Sequence, residues 1–166
     1  VRDIYSITDE HISQGLKMAK WRGRLEKLTS GGLKKAYNSF EFWLDGAHNE
    51  GGARMLKIWL EDNYKNREIF LIIGLTKGRD IRNFISQFSS VAKVIFGVRV
   101  ESEPSSYSLE ALQDAALKLP LIKFQTSLSI LDACDQIKLL AQSVDPIVLI
   151  TGSLFLLSDV YKIMAR

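Results

Sequence analysis

The hydrophobic positions along the chain alternate between short runs that are apolar throughout and longer stretches with helical spacing. Residues 69–73 and 147–150 are continuous apolar runs of strand length, whereas Ala53, Leu56 and Leu60 recur at the spacing of one helix face. Strands that are apolar on both faces are typical of a mainly parallel sheet with helices on both sides. The pattern therefore predicts an α/β chain.

The boundaries of the elements follow from capping residues, glycines and prolines. The polar, glycine-bearing residues 29–35 predict a hairpin loop, and the strand that follows it is expected to form an antiparallel edge with its hairpin partner. The predicted strands are residues 25–28, 37–44, 69–74, 93–100, 122–125 and 147–151. The predicted helices are residues 10–20, 50–64 and 129–142, two more that begin at the caps Asp80 and Ser108, the second ended by Pro120, and a last one from Ser153.

Composition places the chain among ordinary globular proteins. Its 166 residues fit one domain, with 46% hydrophobic and 25% charged residues. The net charge is only +3, and Lys and Arg are scattered, which disfavours nucleic-acid binding. The apolar runs are too short to span a membrane, and we recognise no signal peptide. We therefore expect neither a nucleic-acid nor a membrane partner.

The single cysteine, Cys134, lies at helical spacing with Ile130, Ile137 and Ala141. This spacing predicts a buried structural thiol and not a nucleophile or metal ligand. A chain without a disulfide suits a reducing compartment, so we expect a cytoplasmic protein. Because the chain begins at Val1, we also expect residues 1–166 to be a single domain excised from a longer polypeptide.

Candidate chemistry is concentrated at the segment Asp45-Gly46-Ala47-His48-Asn49, where an apolar run ends and an amphipathic one begins. In open α/β sheets, ligands bind where strands end and helices start. Asp45 could accept hydrogen bonds from a ribose diol or be a plain helix N-cap. His48 and Asn49 would suit a carboxylate or phosphate at the positive end of a helix, although a lone histidine is more often structural.

Two further segments carry candidate ligand groups. In Trp21-Arg22-Gly23-Arg24, an aromatic ring and a guanidinium could meet a base and a phosphate or carboxylate, or the segment is an ordinary loop with a packed Trp. In Thr151-Gly152-Ser153, backbone N–H groups and a hydroxyl form an anion-sized nest, although Ser is also a routine helix cap. The chain has no phosphate-loop or dinucleotide fingerprint and only two histidines, so we expect no metal site of its own.

Three segments are specific enough to compare with known families: Trp21-Arg22-Gly23-Arg24, Leu44-Asp45-Gly46-Ala47-His48-Asn49 and Ile150-Thr151-Gly152-Ser153-Leu154. In order and spacing they resemble the C-terminal domain of folylpolyglutamate synthase/dihydrofolate synthase, a branch of the Mur ligase superfamily. The resemblance covers essentially the whole chain. It implies a Rossmann-like, mainly parallel sheet with an antiparallel edge strand and helices on both faces, of the Mur ligase C-terminal domain type.

The resemblance also implies an activity. ATP phosphorylates the carboxylate of dihydropteroate or a folate, and the amino group of L-glutamate attacks the acyl phosphate to form an amide. The phosphate loop, the Mg²⁺ ligands and the folate pocket belong mainly to a larger N-terminal ATPase domain, which is the expected partner of this chain. The isolated chain is therefore expected to contain no catalytic residue and to be inactive.

Roles for individual residues follow from the same resemblance. Arg24 and Asp45 would contact ATP, with Asp45 at the ribose, while His48 and Ser153 would hold the incoming glutamate. Asn49 and Arg79 are further candidates, Arg79 because Gly78-Arg79-Asp80 stands where the family often has Asp-Lys-Asp. The alternatives are a cell-wall precursor ligase of the same superfamily and a non-catalytic Rossmann-like interaction module.

Overall fold

The structure is a computed structural model that describes residues 6–19, 21–119 and 121–165, without the side chains of Leu16 and Lys17. The predicted helix end at Lys20 and the helix-ending Pro120 lie outside these residues. In chain order the elements are α1 (Asp9–Met18), β1 (Glu26–Lys27), α2 (Gly32–Ala36), β2 (Glu41–Asp45), α3 (Glu50–Tyr64), β3 (Ile69–Ile73), α4 (Ile81–Ser86), β4 (Val94–Gly97), α5 (Leu109–Ala116), β5 (Phe124–Thr126), α6 (Ile130–Leu140), β6 (Ile147–Thr151) and α7 (Leu154–Met164).

The strands form one six-stranded sheet in the order β1-β2-β6-β3-β4-β5. The β1–β2 pair is antiparallel, and the other four pairs are parallel. The predicted fold class is confirmed, but the edge consists of β1 alone. Strand β2 lies inside the sheet because its other side pairs with β6, Asp45 opposite Thr151.

The core has one layer on each face of the sheet, because successive side chains of a strand point to opposite faces. Phe70, Ile72 and Val148 contribute to one layer, which also contains residues of α6 and α7. Leu71, Ile73 and Leu149 contribute to the other, which contains residues of α3, α4 and α5. Strands β3 and β6 are thus buried on both sides, which explains their continuous apolar sequences.

Cys134 lies within the first layer and is fully buried. Burial, followed by the nearby Asp135 carboxylate, raises the pKa of its thiol. The prediction of a structural cysteine is confirmed. In the part of the chain that the structure describes, no helix is long and apolar enough to cross a membrane.

The prediction of a hairpin loop at residues 29–35 is wrong, because α2 occupies Gly32–Ala36. No side chain caps its start at Gly31, and the helix is held by the fully buried Leu33, which joins the same core layer as α7. Tertiary burial thus stabilises a helix that lacks a local signal. Strand β2 consequently begins at Glu41 and not at Tyr37, which is the C-cap of α2.

Other boundaries agree more closely with the sequence. Helix α3 and strand β6 have the predicted limits, and Asp80 and Ser108 are N-caps as expected. Ser129 and Ser153, where two further helices were predicted to start, are also N-caps. Strand β4 is shorter than predicted, at Val94–Gly97. The fold therefore places the tips of β2 and β6 side by side, with α3 and α7 beginning next to them.

Candidate functional site

A cavity of about 470 Å³ lies at the carboxyl end of β2. Arg24, Asp45, His48 and Asn49 line it together, with Met55, Leu56 and Trp59 of α3 forming an apolar wall. Its size is within the usual range for small-molecule sites, as is the combination of apolar walls with a few polar groups. Four of the six candidate residues from the sequence are therefore brought together.

Asp45 is almost fully buried, and its carboxylate joins two chain segments. Oδ2 accepts a hydrogen bond from the backbone N–H of Leu25 at 2.9 Å, and Oδ1 accepts one from Ala47 N–H at 2.8 Å. The alternative of a plain helix cap is wrong, since Asn49 caps α3 by accepting from Gly52 N–H at 2.9 Å. Each Asp45 oxygen retains a further lone pair, so the carboxylate can still accept from a ligand.

Arg24 lies in a turn with unusual backbone geometry. Gly23 and Leu25 have φ angles of +68° and +42°, and the N–H of Arg24 donates to Trp21 O at 3.1 Å. The left-handed conformation costs a residue such as Leu25 about 1–2 kcal/mol, so external hydrogen bonds are needed to maintain it. Arg24 Nη1 is 3.3 Å from Gly23 O, which leaves most guanidinium donors available to a ligand.

Trp21 does not pack into this loop, because its side chain is 79% exposed. The alternative of an ordinary loop with a packed Trp is therefore wrong. Trp21 lines a second concavity with Arg22, Arg24 and Trp43. Arg24 thus lies between two concave surfaces, one on either side of the turn.

His48 is half-buried, and its Nδ1 lies 3.0 Å from the carbonyl oxygen of Gly46. A carbonyl can only accept, so this hydrogen bond requires the proton on Nδ1. In the neutral imidazole, Nε2 is then an acceptor, suited to an amine. Once the ring is protonated, Nε2 becomes a donor, suited to a carboxylate.

Ser153 lies at the neighbouring strand tip but does not line the cavity. Its buried Oγ accepts from Phe155 N–H at 3.1 Å and caps α7, which confirms the routine-cap interpretation; a glutamate-binding role stays a prediction. The two tips are nevertheless joined, since Gly152 N–H donates to Ala47 O at 2.9 Å. The Leu154 side chain also reaches the Gly46 backbone.

Arg79 lies apart from the other candidates. It lies in the segment between β3 and α4 and lines a separate concavity with Tyr107, whose hydroxyl donates to the Arg79 carbonyl at 3.1 Å. Asp80 caps α4 beside it. The structure does not bring Arg79 to the cavity that contains Arg24.

Sequence reasoning missed two kinds of residue at this site. Met55 lines the cavity and is 61% exposed. An apolar residue on the otherwise polar side of α3 is visible in the sequence and could have indicated a binding surface. Glu26 accepts hydrogen bonds from the Gly23 N–H in the Arg24 turn and from the Tyr161 hydroxyl, and neither residue was a candidate. Their pairing spans most of the chain and has no local signal.

The donors needed for a divalent cation are not assembled here. Among the described residues, no group of three or more His, Cys, Asp or Glu side chains is placed to hold a metal ion. Asp45 is the cavity's carboxylate, and it is engaged by two backbone amides.

Residues 32–163 match the model of a family described as "Dihydrofolate synthetase, C-terminal domain". The chain belongs to this family. It is 29% identical over 162 residues to the dihydrofolate synthase/folylpolyglutamate synthase of Bacillus subtilis (strain 168), an alignment that covers 96% of this chain and 34% of that protein. The chain spans about a third of the length of the curated relatives it matches.

Solved structures of the same family share its fold. Mycobacterium tuberculosis folylpolyglutamate synthase complexed with ADP superposes with a TM-score of 0.78 at 18% identity, covering 99% of this chain and 37% of that one. A bifunctional folylpolyglutamate synthase/dihydrofolate synthase with Mn, AMPPNP and L-glutamate bound gives a TM-score of 0.73 at 22% identity, covering 96% and 36%. The match to the family model confirms the family expected from the three sequence segments.

Proposed function

We propose that this chain is the C-terminal portion of an ATP-dependent ligase that adds L-glutamate to dihydropteroate, to folates, or to both. The reaction would pass through an acyl phosphate that the glutamate amine attacks. The observation that carries the proposal is the convergence of Arg24, Asp45 and His48 on one cavity at the tip of β2. Membership of the family, and the ADP and L-glutamate bound by solved relatives, support it.

The nucleotide is assigned to Arg24 and Asp45. The guanidinium has free donors for phosphate or base acceptors, whereas the Asp45 carboxylate has acceptor capacity for the ribose hydroxyls. Since backbone amides of Leu25 and Ala47 hold this carboxylate in place, it would not need to reorganise when the nucleotide binds. Such preorganisation favours binding.

The incoming glutamate is assigned to His48 and Ser153, with Asn49 as an additional contact. His48 Nε2 can accept from the amine when the ring is neutral, because Gly46 O holds the proton on Nδ1. The Ser153 hydroxyl accepts from its own helix and can still donate to a carboxylate. The chain would thus orient the nucleophile without taking part in bond formation.

Mg²⁺ would be held by the N-terminal ATPase domain, since the described residues of this chain assemble no metal ligands. The cation supplies charge neutralisation at the phosphates. Apolar side chains exposed at or beside the cavity support docking of that domain: Met55 is 61% exposed and Leu154, whose side chain reaches Gly46, is 50% exposed. Closure of the two domains would exclude water from the acyl phosphate.

ATP dependence and the unpaired Cys134 support a cytoplasmic location.

The test uses the complete polypeptide that carries this chain and measures ATP-dependent incorporation of labelled L-glutamate into dihydropteroate and tetrahydrofolate. Arg24→Ala should raise KM for ATP about tenfold or more, and His48→Ala should raise KM for glutamate instead. Arg82→Ala removes an exposed arginine outside the cavity and is the matched control. The isolated 166 residues should show no turnover.

Other outcomes would contradict the proposal. Ligation onto a nucleotide-linked muramyl peptide in place of the pteroate acceptors would indicate a cell-wall precursor ligase. Unchanged ligation in the Arg24 and His48 variants, together with altered capture of a protein partner, would indicate a non-catalytic interaction module. Normal turnover by the isolated chain would remove the need for an N-terminal domain.

A further inference from the structure

The turn that presents Arg24 is held in place by three hydrogen bonds to neighbouring groups. Because Leu25 has a positive φ angle, which is unfavourable for a residue with a side chain, the turn needs external hydrogen bonds to persist. Two come from the tip of β2: Gly46 N–H donates to Gly23 O at 2.8 Å, and Asp45 accepts from Leu25 N–H at 2.9 Å. The first hydrogen bond holds the carbonyl group of Gly23, and the second holds the amide group of Leu25.

The third hydrogen bond comes from Glu26. Its Oε2 accepts from the Gly23 N–H at 2.8 Å, and the same oxygen accepts from the Tyr161 hydroxyl on α7. Burial, followed by the hydrogen bond to Glu26, raises the pKa of Tyr161 to about 12. The hydroxyl therefore keeps its proton at neutral pH and remains a donor to the carboxylate.

Helix α7 also packs directly against the turn. A Cβ atom added at Gly23 would lie 2.6 Å from Leu157 Cδ1, so there is no free space between the two. The Arg22 guanidinium lies over the Tyr161 ring, 5.4 Å from its centroid. The Arg24 turn is therefore clamped between β2 on one side and α7 on the other.

Neither Glu26 nor Tyr161 lines the cavity shared by Arg24 and Asp45, although Glu26 does line the second concavity, which Arg24 shares with Trp21. We propose that the Glu26–Tyr161 pair positions Arg24 for the nucleotide, acting through the Gly23 amide and not by contact with the ligand. This inference rests on the proposed function, because it assigns the pair a role in ATP binding. Glu26 and Tyr161 are thus positioning residues.

The experiment measures steady-state kinetics in the complete polypeptide. Tyr161→Phe keeps the ring and removes the donor, and Glu26→Ala removes the acceptor; each should raise KM for ATP about five- to tenfold with kcat changed less than about twofold. Glu26→Gln keeps an oxygen that can accept from both Gly23 N–H and the Tyr161 hydroxyl, so it should restore KM to near the wild-type value. In an Arg24→Ala background, Tyr161→Phe should cause no further rise, since the two act through one group.

A structural readout separates positioning from general destabilisation. Amide hydrogen exchange in residues 21–25 should accelerate in Tyr161→Phe and Glu26→Ala but not in Glu26→Gln. The matched control is Tyr37→Phe, which removes a partly buried hydroxyl that donates to Asp135 at 2.8 Å, ahead of the amino end of β2. It should leave both KM for ATP and exchange in the turn unchanged. If Tyr161→Phe fails to fold, the test is the comparison of Glu26→Ala with Glu26→Gln in KM for ATP and in amide exchange of the turn.

The two proposals fail in different ways. If Arg24→Ala leaves KM for ATP unchanged, the nucleotide assignment of the proposed function is wrong, and the positioning role falls with it. If Arg24→Ala raises KM but Tyr161→Phe and Glu26→Ala match Tyr37→Phe in kinetics and exchange, only the positioning role is overturned.

Discussion

The carboxylate of Asp45 accepts a hydrogen bond from the backbone N–H of Leu25 at 2.9 Å and thereby joins the tip of β2 to the Arg24 turn. Leu25 has a φ angle of +42°, so this hydrogen bond stabilises a backbone conformation that leucine rarely adopts. The same carboxylate lines the cavity proposed for ATP. One side chain therefore maintains the shape of the site and is available to the ligand.

Asp45→Ala should lower the free energy of unfolding by about 2–4 kcal/mol, because two backbone amides lose a charged acceptor. Asp45→Asn should have a smaller effect, since one amide oxygen remains. Urea denaturation of the chain measures both. Asp80→Ala, which removes the cap of α4, is the control and should cost about 1 kcal/mol. Equal effects for Asp45→Ala and Asp80→Ala would show that Asp45 has no bridging role.

Gly152→Ala should be strongly destabilising. Gly152 has a φ angle of +110°, and an added Cβ would lie 2.8 Å from Gly74 O, a backbone atom that cannot easily move. Strain and overlap together should exceed about 3 kcal/mol. Gly78→Ala is the matched control, because Gly78 has a φ angle of +86° but no atom within 4 Å of the added Cβ, so only about 1–2 kcal/mol is expected. Thermal denaturation of the two variants would show this order, and the reverse order would contradict the close contact between the tips of β3 and β6.

Gly46→Ala should weaken nucleotide binding more than it weakens the fold. The added Cβ would lie 2.6 Å from Arg24 Nη1 and 2.3 Å from Leu154 Cδ2, both atoms of flexible side chains. Arg24 must therefore move away from its present position. ADP affinity of the complete polypeptide, measured by calorimetry, should fall about tenfold or more if one charged contact is lost. Gly51→Ala, with no nearer neighbour than Asn49 Oδ1 at 3.7 Å, should bind ADP like the wild type.

Acid stability should depend on Glu41. Burial raises its pKa, but hydrogen bonds from Lys27, Tyr64, Arg67 and Trp43 outweigh burial and lower it from 4.5 to about 2. Because the folded pKa lies below the unfolded one, the contribution is fully present above about pH 4.5 and is lost as the pH falls toward 2. This contribution is on the order of 3 kcal/mol at neutral pH.

Glu41→Gln tests this prediction through urea midpoints measured from pH 7 to pH 3. The difference in unfolding free energy from the wild type should be largest at neutral pH and should shrink below about pH 4.5. Glu61→Gln alters an exposed glutamate that contacts Lys57 at 3.6 Å, and it serves as the matched control. If the difference in unfolding free energy between Glu41→Gln and the wild type stays constant across this pH range, the lowered pKa of Glu41 is contradicted.

Much of the architecture was predictable from local patterns. Helix α3 and strand β6 have their predicted limits because periodicity, a capping side chain and a flanking Pro146 all act within a few residues. The failure at α2 has the opposite cause. Its start is a glycine without a capping side chain, and the burial of Leu33 against a distant part of the chain decides that it is helical.

The sequence by itself determined the α/β class, most element boundaries, the family and the segments that carry its chemistry, because these depend on short-range order along the chain. The tertiary structure decided which candidate side chains lie together in one cavity. It brought Arg24 and Asp45 into one cavity and kept Arg79 in another. The hydrogen bonds that hold the Arg24 turn beside Asp45 join residues far apart in sequence, Asp45 to Leu25 and Glu26 to Tyr161, and such partners meet only when the sheet and α7 have packed.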